Sequence, residues 1–554
     1  MKPAPRGKPS GLPFLARFTD VAESAGLRAP TIYGGIDRKE YIVETMGCGC
    51  AFLDYDNDGW MDVLLLSGTR LKDAPAGTTN RLYRNNRDGT FTDVTRRAGL
   101  EHTGWAAGVA VGDYDNDGFE DLFITYWGEN VLYHNNGDGT FTNVAGRAGV
   151  HLNRTRWGTG CAWIDYDRDG KLDLLVTSYS NFDLSHAPKP GDDPHCMFRD
   201  VAVNCGPRGL PMGGLTLYRN NGDGTFTDVT AKSGLAGINR YGLTAVAADF
   251  DEDGWPDVFV ACDAGASLLL MNNRDGTFRD EGLERGAALS GDGMEQAGMG
   301  VGVGDYNHDG HLDFFKGHFS DDTNALYRND GKGNFTDMTI PAGLGVETRF
   351  TGWGAGIVDL DNDGNPDLFL VTGSIYPELE KKRAGYPFHT PRLVFRNLGD
   401  GRFEELIEAA GPGVAAPHSS RGCAFGDFDN DGDVDVLVVN LNEPPSLLRN
   451  DVQGDNRWLK VKLVGTVSNR SAIGARVTVQ YGVRRHTQCV TGQASYLSCN
   501  DPRLHFGLGA QGTADVEVYW PNGGKQTFPK LAANQLVVIR EGAETVERAS
   551  WPGR

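Results

Sequence analysis

Long apolar runs are missing from this 554-residue chain. No stretch of about eighteen apolar residues occurs, so no segment reads as a membrane-spanning helix. The N-terminal segment MKPAPRGKPSGLPFLARF is basic, but its apolar piece is only about five residues long, too short for the core of a secretory signal. Basic residues are outnumbered, with 53 Lys and Arg against 74 Asp and Glu and a net charge of −21. That balance excludes a nucleic-acid surface, which needs a basic stripe. Catalytic signatures are absent as well. There is no Gly-x-Ser-x-Gly, no His-Glu-x-x-His and no phosphate-cradling glycine loop. The histidines do not fall at ligand spacing.

What the chain does have is repetition. DYDNDGWMD at 54 returns as DYDNDGFED at 113, DYDRDGKLD at 165, DFDEDGWPD at 249, DYNHDGHLD at 305, DLDNDGNPD at 359 and DFDNDGDVD at 427. A second element alternates with it: LYRNNRDGTFTDV at 82, LYHNNGDGTFTNV at 132 and LYRNNGDGTFTDV at 217, with looser copies at 269, 326, 394 and 447. Asp-Gly between alternating apolar stretches is a hairpin signal, because the turn needs positive φ. Each unit therefore reads as four short strands, and seven such units predict an all-β, seven-bladed β-propeller. FTDVAESAGL at 18–27 matches the fourth-strand segment FTDVTRRAGL at 91–100, which the seventh unit lacks. Residues 18–27 are therefore expected to close the seventh blade, which removes the exposed edges of an open array.

Four aspartates within nine residues repel one another unless a cation sits among them. Positions 1, 3, 5 and 9 carry oxygen side chains, position 6 is always glycine, and position 7 would offer its backbone carbonyl. The expected ligands are Asp54, Asp56, Asp58, Trp60 and Asp62 in the first loop, and Asp113, Asp115, Asp117, Phe119 and Asp121 in the second. The third has Asp165, Asp167, Asp169, Lys171 and Asp173, and the fourth Asp249, Asp251, Asp253, Trp255 and Asp257. The fifth has Asp305, Asn307, Asp309, His311 and Asp313, where Asn307 lowers the charge and weakens the site. The sixth has Asp359, Asp361, Asp363, Asn365 and Asp367, and the seventh Asp427, Asp429, Asp431, Asp433 and Asp435. Oxygen-only ligands around a tight glycine turn suit calcium; zinc prefers nitrogen and sulfur. An EF-hand is excluded, because position 12 holds Leu65, Ile124, Val176, Val260, Lys316, Leu370 and Val438 rather than glutamate. Up to seven calcium ions are expected, and they would bring the net charge to about −7.

The domain plan is an N-terminal tail at 1–17, the propeller at 18–455, a small antiparallel β domain at 456–542 and a tail at 543–554. The 180–214 stretch, rich in proline and glycine, is expected as a capping excursion over one face.

The nonamers resemble the FG-GAP/VCBS repeats of integrin-α-type propellers. The C-terminal stretches NRSAIGARVTV, LHFGLG and VEVYWPNG look like the ASPIC/UnbV domain. The pair in this order is similar to bacterial relatives of cartilage acidic protein. This resemblance carries the oxygen-ligand positions across repeat by repeat and supplies no catalytic residues. It implies export, as does calcium itself, which is scarce in cytosol.

Nine cysteines leave at least one thiol unpaired within the chain. Cys196 and Cys205 are placed to staple the excursion, and Cys489 and Cys499 could pair in the C-terminal domain. Cys50, Cys161 and Cys423 each stand four residues before a nonamer and read as packing residues. Segments upstream of the first strands would converge at one mouth of the channel. They bring Glu44, His102, Trp105, Arg156, Trp157, Arg240, Glu295, Arg349, Trp353, His418 and Arg421 as candidates for a rim that binds a glycan, a peptide or a small molecule. Two functional readings follow. One is a non-catalytic extracytoplasmic binding or adhesion module for a glycan, peptide or protein. The other is an enzyme with a channel-mouth pocket acting on a secondary metabolite or saccharide.

Overall fold

Each nonamer reverses the chain by the same device. Its fourth and sixth residues both take positive φ, as in Asn57 (54°) and Gly59 (87°) or Arg168 (57°) and Gly170 (82°), and this pairing recurs in all seven. Glycine at position 6 avoids the steric cost of that conformation; position 4 bears it with Asn in four loops and with Arg, Glu or His in the others. The ninth-position carboxylate then fastens the loop to its sheet. Asp62 accepts from Tyr55 N at 3.3 Å and from Asn85 N at 2.7 Å, and the same two bonds recur in every blade.

The structure, a computed structural model, describes residues 8–151, 156–382 and 385–549. Seven antiparallel blades follow in chain order, each built on four strands, and the third adds a fifth, Asn239–Arg240, paired with its Gly213–Asn220 strand. The first comprises Cys50–Leu53, Asp62–Leu65, Arg81–Asn85 and Phe91–Asp93. The seventh combines Ser420–Gly426, Asp435–Asn440 and Ser446–Asn450 with Phe18–Asp20, which pairs in the register Phe18 to Asn450. Both ends of the repeat region thus share one sheet.

The blades are stapled by one asparagine each. Asn135 Nδ2 donates to Tyr55 O of the preceding blade at 2.8 Å. Asn220, Asn272, Asn329, Asn397 and Asn450 make the same bond to Tyr114, Tyr166, Phe250, Tyr306 and Leu360. Asn85 closes the circle by donating to Phe428 O of blade seven.

The C-terminal unit is two four-stranded sheets, antiparallel except that Arg457–Val464 and Gln535–Arg540 run parallel. Glu547–Arg548 pairs with Val537 and Val538, so the sheet continues into the expected C-terminal tail. The N-terminal tail is likewise fastened where described: Ser10 bonds Glu404, and Leu15 N donates to Asp361 Oδ2 at 3.2 Å. Residues 1–7 and 550–554 lie outside the described residues.

This unit sits on the aspartate-loop face and sends residues 491–501 into the channel. Val301 and Ser495 exchange backbone bonds of 2.7 and 2.8 Å, Val109 N donates to Leu497 O, and Cys499 N donates to Cys50 O. Gln493 bridges Val109 O and Cys161 N, and the Tyr496 hydroxyl reaches Met46 O. The inner edges of the blades, which would otherwise face the channel unpaired, find partners in this segment. Glycine makes the approach possible: a Cβ on Gly49 would meet Leu497 O at 1.8 Å.

The opposite end of the channel is covered by the excursion between Ser180 and Gly213, stapled by a Cys196–Cys205 disulfide. Phe182 packs against Trp127 and Trp157, Phe198 against Phe319 and Tyr376, and Leu210 O accepts from Tyr241.

Candidate metal centres

The first aspartate of each loop folds over its own turn. Asp54 accepts Asp58 N at 2.8 Å and Gly59 N at 3.0 Å, and both bonds recur for Asp113, Asp165, Asp249 and Asp427. In the fifth and sixth loops the bond to the glycine is kept. The fifth-position aspartate accepts the amide of position 7 in all seven loops, as Asp58 does from Trp60 at 2.9 Å. Position 7 therefore takes part through its backbone, which leaves its side chain free to vary.

Carboxylate oxygens remain that the protein does not satisfy. Asp56, Asp167 and Asp251 at position 3, and Asp305 and Asp359 at position 1, each bury an Oδ1 with no hydrogen-bond partner among the described residues. Asp54, Asp56 and Asp58 bring one oxygen apiece within 4.8 Å of one another, as do Asp113, Asp115 and Asp117, then Asp165, Asp167 and Asp173, then Asp249, Asp251 and Asp257. Burial, reinforced by neighbouring carboxylates, pushes Asp113 and Asp165 up to about 7, Asp305 to about 8 and Asp62 to about 9. Crowded, buried and unsatisfied oxygens fit a hard cation that takes six to eight oxygen ligands.

Basic side chains offset part of this charge. Arg84 reaches Asp56 at 2.8 Å, Arg219 reaches Asp167 at 2.7 Å, and His134 lies 3.2 Å from Asp115, all from the residue before the stapling asparagine. In the fifth loop Asn307 turns onto Asp309, its Nδ2 donating to Oδ2 at 2.8 Å. The C-terminal unit adds cations that sequence reasoning did not find. Lys460, buried, pairs with Asp427 Oδ2, and Lys462 lies 3.9 Å from Asp54. Thr487 N donates to Asp305 Oδ2 at 3.2 Å, so that carboxylate also docks the second unit. The alternation in KVKL, which sends both lysines to one face of the strand, was the available signal. Between the units lies a cavity of about 320 Å³ holding Lys462 and Glu120. Burial raises the Glu120 carboxyl to about 7, and its Oε2 accepts Asp54 N at 2.9 Å.

The expected ligand rim does not assemble. Trp157, Trp353 and Arg421 are fully buried, and Trp105 nearly so. Arg421 stacks on Trp353 at 4.2 Å and donates to the carbonyls of Thr45, Ser374 and Ser420. Glu44 is buried, accepting the amides of Gly35, Glu40 and Tyr41. Arg156 bonds Thr216 Oγ1, Arg240 bonds the carbonyl of Asn239, Glu295 pairs with Arg208 and Arg349 with Glu347. His102 meets Tyr126 edge-on at the border of a shallow groove, and His418 pairs with Glu443. These segments build the fold because the excursion closes the mouth they were expected to line. Cys489 and Cys499 are free thiols, not a disulfide: Cys499 enters the channel, with Sγ 3.0 Å from Gly492 O, while Cys489 packs beside blades four and five.

Residues 54–124, 113–176, 198–260, 249–316, 317–370 and 389–472 match the FG-GAP-like repeat, and residues 465–546 match ASPIC and UnbV. Cartilage acidic protein 1 of Homo sapiens is 28% identical over 330 residues, which cover 57% of this chain and 46% of that protein. The Mus musculus protein of the same name is 25% identical over 522 residues, covering 89% of this chain and 73% of that one. The chain thus matches less than half of the human relative's length. Among solved structures, an Agrocybe aegerita lectin that recognises non-reducing terminal N-acetylglucosamine aligns at TM-score 0.35 and 18% identity, over 72% of this chain and 87% of its own. A likeness that low says nothing about ligand.

Proposed function

Because this chain belongs to the FG-GAP-like repeat family and carries an ASPIC and UnbV unit behind its repeats, we propose that it is a calcium-loaded, extracytoplasmic binding module. The observation that carries the calcium reading is the set of buried carboxylate oxygens left without hydrogen-bond partners in the loops. The ions would be held by the side chains of positions 1, 3, 5 and 9 with the carbonyl of position 7, up to seven in all, and would supply the positive charge the loops lack. Calcium at the concentrations found outside cells suits such sites. Among the described residues no helix is long and apolar enough to cross a membrane.

The segments packed over both ends of the channel favour a binding module over an enzyme with a channel-mouth pocket. The ligand, a glycan, peptide or protein, would meet the outer surface. The open groove lined by His102, Tyr126, Trp127, Asn130 and His151 is the place to look. It offers aromatic faces beside hydrogen-bonding groups, and Asn130 Nδ2 is buried there without a partner among the described residues.

Metal analysis of the purified chain, calcium titration by calorimetry and a glycan and protein binding screen with and without chelator test the proposal. Bound calcium, and a ligand whose capture weakens when Trp127 becomes alanine, are expected. No calcium at millimolar concentration and identical melting in chelator would sink the calcium reading. Capture that is unaffected by Trp127→Ala would move the ligand elsewhere.

A further inference from the structure

On the face away from the aspartate loops, three side chains distant in sequence converge. His389 lies in the excursion between the second and third strands of blade six. His418 precedes the first strand of blade seven, and Glu443 follows its second. Backbone bonds fix them: Thr390 and His418 exchange N–H to carbonyl bonds of 2.9 and 3.0 Å, and Thr31 N donates to Glu443 O at 3.0 Å.

The two imidazoles flank one carboxylate. His418 Nδ1 is 2.6 Å from Glu443 Oε2, a hydrogen bond. His389 Nε2 is 3.0 Å from Oε1, but without hydrogen-bond geometry, and Oε1 is buried with no hydrogen-bond partner among the described residues. Both ring nitrogens thus crowd one carboxylate, and a cation bound there would replace the protons that the two imidazoles now share with it. His389 is 43% exposed on its side chain, which leaves a solvent-facing approach and room for water. Glu380 lies close enough to His389 to add negative potential.

Two imidazoles and one glutamate make a zinc set, with water in the fourth position. Calcium, which wants six to eight oxygens, is not served. We propose that His389, His418 and Glu443 form a zinc site that staples the blade-six excursion to blade seven. The site is independent of the aspartate loops and stands or falls apart from them.

The test uses the untagged full chain at saturating calcium, which fills the loops. Zinc is titrated by calorimetry, and cobalt is added to a second sample to read visible ligand-field absorption. One zinc per chain is expected, with a cobalt band from nitrogen and oxygen ligation. His389→Ala, at a half-exposed position, should keep the circular dichroism and calcium response of the parent while weakening zinc by more than about tenfold. Glu443→Gln should do the same. Absence of stoichiometric zinc in the parent overturns the proposal, as does unchanged zinc affinity in folded His389→Ala.

Discussion

Asn135 is a small side chain with a large duty. Fully buried, it donates to Tyr55 O in the neighbouring blade and to Glu120 O in its own. Alanine there would leave two buried carbonyls without a donor and should cost about 2–4 kcal/mol, measured by denaturant unfolding. Lys39 is a second residue whose chemistry reaches the whole fold. It is fully buried with Nζ 2.7 Å from Tyr33 O, and burial, aided by Arg421, lowers it from 10.5 to about 7. Glu44 opposes the shift. Between those two values the unfolded chain binds the proton that the folded chain has released. This residue's contribution to stability therefore rises with pH from about 7 to 10.5 and is least favourable below 7, where both states are charged. Lys39→Met should flatten that rise. Unfolding midpoints at about pH 6, 8 and 9.5 check it, with the variant gaining most on the parent at the lowest pH.

Among the elements, the 491–501 segment does the most with the least regular structure. It fills a channel lined by glycine and small residues, and it is gripped by backbone bonds from several blades. Tyr496, fully buried, sits edge-on to Trp353 with ring centroids 5.0 Å apart. Tyr496→Ala should cost about 3–5 kcal/mol. It should also loosen the thiols that contact the segment, since Cys50 lies 3.9 Å from Ser498 Oγ and Cys423 lies 3.2 Å from Ser495 Oγ. A thiol reagent followed by mass mapping should label Cys50 and Cys423 faster in the variant than in the parent. Equal labelling would mean that the segment does not guard them.

For the whole molecule, the aspartate loops and the C-terminal unit share one face, so loading of the loops and docking of the unit are expected to be linked. Chelation in the full chain should lower the melting temperature and raise labelling of Cys161 and Cys499 below the melting transition. Restoring calcium should reverse both. A lower melting temperature with thiols still protected would separate loop stability from docking. Asp305→Ala should destabilise even in chelator, because Asp305 also receives Thr487 N from the C-terminal unit. Reading Asn307 as a weakened ligand would not anticipate that cost.

The sequence by itself determined the blades and the loops, because both are local. The turn of DYDNDGWMD is set by residues within nine positions, and the four-strand unit by alternation and Asp-Gly hairpins within about sixty. Ring closure was legible for a related reason: FTDV at residues 18–21 is the same segment that ends other units. What only the tertiary structure decided are contacts between different blades or units, tens to hundreds of positions apart, that carry no periodic mark. Gln493 meets Val109, Lys460 meets Asp427, and His389 meets Glu443. Arg421 and Trp353 looked like a ligand rim because charge and aromatic character in a loop suggest exposure. Their burial was set by the excursion above and the inserted segment below, and the path of a closing loop is fixed by packing against surfaces that exist only once the ring has formed.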